Sequence, residues 1–150
     1  MYDVDAIRAQ FPILSREVNG KPLTYLDSGA SAQKPQVVID AITRAYSEEY
    51  SNVHRGLHFL SNLATDKYEG VRGIVQKFLN APHEDDIIFT TGTTEAINLI
   101  AYSWAMPRLK AGDEIVISVL EHHANIVPWH FLRERMGVNI KWVDCAPDGS

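Results

Sequence analysis

Cysteine is almost missing: Cys145 is the only one in 150 residues. A single thiol closes neither a disulfide nor a cysteine-based metal cluster within one chain, so a reducing compartment is the simple expectation. It sits just past the apolar run Ile140-Lys141-Trp142-Val143 with no histidine close in sequence, which favours a structural thiol over a nucleophile. Long apolar runs are missing too. The acidic start Met1-Tyr2-Asp3-Val4-Asp5 has no signal-peptide core behind it, and no membrane-spanning segment is expected. Runs of one charge are equally scarce: 14 basic and 19 acidic residues give a net charge of -5 without a basic stripe. Nucleic acid and membrane are therefore not expected partners, and the reading is of a soluble, cytoplasmic protein.

What is present can build a core, since 45% of residues are hydrophobic. Ala6, Ile7, Gln10 and Phe11 predict a short helix that begins near Asp3 or Asp5 and ends at Pro12, with a turn following at Asn19-Gly20-Lys21-Pro22. A brief strand is expected over 23–26, then the small-residue loop Asp27-Ser28-Gly29-Ala30-Ser31-Ala32. Behind Pro35, the spacing of Val37, Val38, Ala41, Ile42, Ala45 and Tyr46 predicts a helix that buries this stripe, and a longer helix is expected over 61–79.

From Asp86 the pattern becomes strand over 87–90, helix over 94–105, strand over 115–118, helix over 126–136 and strand over 139–143. Asn125 is the expected N-cap of the last helix, and Gly137 its stop. Short strands that are apolar on both faces, alternating with helices, predict a parallel sheet covered on both sides. The ending Ala146-Pro147-Asp148-Gly149-Ser150 reads as a turn toward a further element, and three strands are expected to leave a sheet edge uncovered.

Alternating units of this kind place ligand loops at the carboxyl ends of the strands. The first loop lies in Phe89-Thr90-Thr91-Gly92-Thr93-Thr94-Glu95-Ala96, where a strand ends in a glycine turn and opens into a helix. Free N–H groups of the first helical turn and two threonine hydroxyls converge there, a suitable seat for a phosphate. For Thr93 and Thr94 the alternative is simple helix capping. The second loop is Leu120-Glu121-His122-His123-Ala124-Asn125. His54, His58, His122 and His123 invite a metal reading, but neighbours such as His122 and His123 rarely point the same way and no carboxylate-rich partner motif accompanies them, so no metal site is expected.

Four segments, in order, resemble the cysteine desulfurases of the class V aminotransferase group, most closely the SufS branch. They are Tyr25-Leu26-Asp27-Ser28-Gly29-Ala30-Ser31-Ala32-Gln33-Lys34-Pro35, Val53-His54-Arg55-Gly56-Leu57-His58, Gly92-Thr93-Thr94-Glu95-Ala96-Ile97-Asn98-Leu99 and Glu121-His122-His123-Ala124-Asn125-Ile126-Val127-Pro128-Trp129. The resemblance spans essentially the whole chain but only the first part of a family member. It implies a fold-type I enzyme using pyridoxal 5'-phosphate: an N-terminal arm and substrate-side loop over 1–34, then the first part of the cofactor-binding large domain over 35–150. The implied reaction takes L-cysteine to L-alanine, with sulfur passed as an enzyme persulfide to a sulfur-acceptor protein for iron–sulfur cluster assembly, in a homodimer. Selenocysteine lyase and cysteine sulfinate desulfinase remain open as relatives' reactions, as does a non-catalytic dimerisation or binding module.

Carried over residue by residue, the resemblance implies that Gly92, Thr93 and Thr94 hold the cofactor phosphate. It implies that His122 stacks on the pyridine ring and serves catalysis, and that Ala30, His54 and Arg55 approach the substrate. A surface or core histidine is the alternative for His122, and an arginine bonded to nearby loop carbonyls that for Arg55. A cofactor-bearing lysine and a sulfur-accepting cysteine are not assignable. Lys21, Lys34, Lys67, Lys77, Lys110 and Lys141 lack the Ser-x-His-Lys context, and Cys145 does not match the family's nucleophile.

Overall fold

A computed structural model describes residues 2–146, 148 and 149. The backbone forms two compact units, Met1–Ile87 and Ile88–Ser150. The expected final turn falls partly outside the described residues, at Pro147 and Ser150.

In the first unit, α1 (Val4–Arg8) begins where Asp3 accepts a hydrogen bond from the Ala6 N–H at 3.0 Å, and the Pro12–Ser15 segment is a 3-10 turn. The strand expected over 23–26 does not form. Its place in the ladder goes to a minimal hairpin, β1 (Glu17–Val18) against β2 (Lys21–Pro22). Asn19 and Gly20, at φ 54 and φ 69, supply the two positive angles that a tight two-residue turn demands. Helix α2 (Gln36–Arg44) starts after Pro35 and runs into a π-helical turn, Ala45–Glu49. Its stripe is not buried as the periodicity predicts. Val37 and Tyr46 are 70% and 72% exposed: α3 reaches the Ala45–Glu49 turn, where Lys67 pairs with Glu49, and leaves most of the stripe open. Helix α3 (Phe59–Leu79) extends the expected 61–79 element by two residues and ends at Asn80, whose left-handed backbone makes the C-cap.

Residues 87–90, which run from the end of the first unit into the second, join no ladder, which corrects the expected first strand: a strand exists only where a partner accepts its hydrogen bonds, and none among the described residues does. Helix α4 (Thr93–Leu99) continues through a π-helical stretch, Ile100–Ala105. Strands β3 (Glu114–Ser118) and β4 (Asn139–Val143) pair in parallel with Ile115 opposite Ile140, joined by α5 (Val127–Met136). Asn125 is not the N-cap of α5. Ile126 takes that position, while the Asn125 Oδ1 accepts from the Trp129 indole N–H at 2.9 Å. Gly137 does stop α5, at φ 74.

The core of this unit gathers Ala101, Ala105, Leu132 and Val138, with Ile115, Trp129 and Met136 packed around them. The sheet is covered on one face rather than two: Ile117 is buried, whereas Val116, pointing the opposite way along β3, is 64% exposed. Cys145 is half-buried, its thiol donating to the Ala146 carbonyl. No described helix is long and apolar enough to cross a membrane.

Candidate functional site

The Gly92 turn owes its shape to backbone torsion. At φ 153 and ψ 177, Gly92 occupies a region essentially closed to residues with a Cβ, although a Cβ there would meet no heavy atom within 4 Å. The turn is braced from both sides. The Thr90 hydroxyl donates to the Gly92 carbonyl at 3.1 Å, and Glu95 Oε2 accepts from both the N–H and the hydroxyl of Thr91 at 2.6 Å. Those donors, the Thr91 hydroxyl foremost, hold the Glu95 carboxyl below its ordinary pKa.

Thr93 and Thr94 occupy the first two positions of α4, and neither caps it: the cap is Gly92, without a side-chain bond. Both threonines are exposed, and among the described residues neither hydroxyl has a protein partner. Hydroxyls and first-turn N–H groups without acceptors are what an incoming anion requires. Asn98, which sequence reasoning passed over, donates from its amide to the Thr94 carbonyl at 2.8 Å and thereby fixes that turn. Its i, i+4 spacing from Thr94 was the available signal.

Thr94, Asn98 and His122 line one cleft of about 360 Å³, together with Val127, Pro128 and Phe131. His122 opens a 3-10 turn, and its Nδ1 accepts from the Ala124 N–H at 3.1 Å. The ring is exposed yet fixed in orientation, with Nε2 as its remaining nitrogen. His123 stands nearly perpendicular, with ring centroids 6.1 Å apart at 78°. The cleft thus brings the Thr94 hydroxyl together with a flat imidazole face, while Gly92 and Thr93 do not line it, and neither does any lysine. Among the described residues, no three histidine, cysteine, aspartate or glutamate side chains cluster as a metal site.

The three remaining candidates lie in the first unit. His54 has a left-handed backbone, φ 60. Its N–H donates to Thr65 Oγ1 at 2.9 Å, and its Nε2 is 2.9 Å from Glu69 Oε1. Arg55 is exposed, and among the described residues no carbonyl or carboxylate accepts from its guanidinium. Sequence reasoning also missed Ser61, 1% exposed, whose Oγ accepts from the Gly56 N–H at 2.9 Å and donates to the Asn52 carbonyl at 2.7 Å, pinning the loop to α3. Ala30 occupies a separate exposed turn in which the Ala30 and Ser31 N–H groups both donate to the Asp27 carbonyl. A larger cavity of about 430 Å³ lies beside α1, but its walls are mainly apolar and Arg8, its one cation, is committed to the Leu14 and Leu23 carbonyls.

The second unit is thus an α/β unit in which a glycine turn opens a helix beside a second loop that presents an imidazole. The chain belongs to the aminotransferase class-V family, which matches residues 24–150. Its fold is accordingly the fold-type I architecture of that group. A cysteine desulfurase of Escherichia coli O7:K1 is 54% identical over 149 residues, 99% of this chain. Among solved structures, the cysteine desulfurase of Thermococcus onnurineus NA1 superposes with a TM-score of 0.83 at 34% identity, covering 95% of this chain and 34% of that one. The cysteine desulfurase CsdA of Escherichia coli gives 0.75 at 39% identity, covering 98% of this chain and 36% of that one. The chain spans 37% of the length of the first of these relatives.

Proposed function

We propose that this chain is the N-terminal part of a pyridoxal 5'-phosphate-dependent cysteine desulfurase and contributes the phosphate-binding and ring-stacking side of its site. The observation that carries the reading is the single cleft holding both Thr94, with its unpartnered hydroxyl, and the oriented ring of His122. The residues fit the cofactor's two ends: an anion at a glycine turn whose front is open, and a flat ring against an imidazole. When bound, the cofactor supplies an electron sink for negative charge developing at the substrate α-carbon.

In this scheme Gly92 gives the phosphate its close approach to the backbone, while Thr93 and Thr94 donate hydroxyl hydrogen bonds to it. His122, anchored through Nδ1, covers the ring and exchanges a proton at Nε2. Arg55, His54 and Ala30 lie on the substrate side. The division into an arm over 1–34 and a large domain over 35–150 belongs to the same proposal. So do conversion of L-cysteine to L-alanine with sulfur leaving as a persulfide, delivery to an acceptor protein for iron–sulfur cluster assembly as in the SufS branch, and a cytoplasmic homodimer. The exposed apolar stripe of α2 supports self-association.

The test is product analysis on the full-length protein with L-cysteine, L-selenocysteine and cysteine sulfinate. Alanine and persulfide from cysteine are expected; alanine from the selenium or sulfinate substrate alone overturns the desulfurase reading. Thr93→Val combined with Thr94→Val is expected to weaken cofactor affinity about tenfold or more, from the loss of two anion-directed hydrogen bonds.

A further inference from the structure

An asparagine at the mouth of a helix ordinarily offers its side-chain oxygen to a backbone N–H of the first turn. Asn125 does not. Its Oδ1 accepts from the Trp129 indole N–H at 2.9 Å, and α5 begins without a side-chain cap. Trp129 is half-buried and packs against the cluster of Ala101, Ala105, Leu132 and Val138, so the indole is anchored in the core of the unit. At the other end, the Asn125 N–H donates to the His122 carbonyl at 2.8 Å and closes the 3-10 turn His123–Asn125, while the Ala124 N–H donates to His122 Nδ1 at 3.1 Å. Ala124 and Asn125 thus hold both the ring and the backbone of His122. Neither Asn125 nor Trp129 lines the cleft, so their effect on the ring reaches it from behind.

We infer that Trp129 is a positioning residue that acts through Asn125 to hold the His122 ring in the plane it presents to the cleft, where a flat cofactor ring stacks on it. The inference rests on the desulfurase reading above. His122 is exposed, so the direction of its ring depends on the turn that carries it. While the turn is closed, Nδ1 accepts and the proton of the neutral ring sits on Nε2. Opening the turn releases the Ala124 N–H, and the ring is then free to rotate and to change tautomer. The indole bond is half-buried, whereas the Ala124 bond to Nδ1 is exposed to competing water. The firmer bond therefore secures the weaker one, and a tryptophan fixed in the core sets the orientation of a histidine at the surface.

The experiment uses the full-length protein with added pyridoxal 5'-phosphate. Trp129→Phe keeps an aromatic ring in the core and removes the donor, Asn125→Leu removes the acceptor, and Asn125→Asp keeps an acceptor oxygen. Trp129→Phe and Asn125→Leu are each expected to quicken exchange of the Ala124 amide about fivefold, the effect of one lost hydrogen bond, with the Leu132 amide unchanged as internal reference. Both should also weaken the circular dichroism of the bound cofactor band, and Asn125→Asp should retain wild-type values of each. Because both changes break the same bond, the Trp129→Phe, Asn125→Leu double variant should be no worse than either single one. Ala124 exchange within about twofold of wild type in Trp129→Phe, or a quickening shared equally by Leu132, overturns the inference. So does dichroism that stays unaltered in Trp129→Phe when the wild type shows a normal cofactor band. A wild type that shows no cofactor band overturns the desulfurase reading, and the inference with it.

Discussion

Ser61→Ala is the sharpest perturbation of the loop that carries His54 and Arg55. Ser61 is 1% exposed and its hydroxyl makes two bonds, accepting from the Gly56 N–H at 2.9 Å and donating to the Asn52 carbonyl at 2.7 Å. Alanine keeps the Cβ, so no clash or void of consequence arises. The loss is two hydrogen bonds, and the half-buried Gly56 N–H is left with no acceptor in place. At about 1 kcal/mol net for each bond, the cost is about 2 kcal/mol, toward the lower end because the Asn52 carbonyl reaches water. If the loop opens locally, that figure translates into exchange of the Gly56 amide about 30-fold faster than in the wild type. Hydrogen exchange read at Gly56, with α3 amides as the internal reference, is the assay. Exchange within about twofold of wild type would mean that the loop is held by other contacts, and the anchoring argument would be wrong.

Gly92→Ala is expected to cost about 1–3 kcal/mol from torsional strain alone, since no atom opposes the new Cβ; an unchanged melting temperature and phosphate affinity refute this. Leu132→Ala, at 0% exposure in the core of the second unit, should lose about 2–5 kcal/mol in chemical denaturation, whereas Leu132→Met should lose less than about 1.5. Glu95 has its folded pKa lowered below 4.5 by the Thr91 donors, so its contribution is complete above that pH and fades as acid titrates the folded carboxylate. The stability difference between wild type and Glu95→Gln should therefore be flat above about pH 4.5 and shrink below it, and a difference that grows on acidification contradicts the assignment.

Local chemistry was legible wherever a residue's own backbone preference decided the outcome. Gly137 stops α5 by its left-handed torsion, and β3 and β4 follow runs of branched and apolar residues, whereas the first helix already ends at Arg8 and Pro12 opens the 3-10 turn after it instead of stopping the helix. The glycine turn before α4 was legible for the same reason. What was misread depends on partners. Residues 87–90 have a strand's composition and no ladder, and the apolar stripe of α2 stays largely exposed. The Asn125 side chain was expected to cap a backbone and instead took the Trp129 indole, a choice made by proximity across a helical turn.

The sequence by itself determined the glycine turn that opens α4, since Gly92 and the two threonines need only the first turn of one helix to take up their places. It also determined the family, because four short segments keep their order and identity. Only the tertiary structure decided that His122 shares a cleft with Thr94, that neither threonine is consumed as a cap, and that His54 pairs with Glu69. Those outcomes turn on which side chain reaches which acceptor through space, and spacing along the chain does not encode that until the loops are folded against their helices.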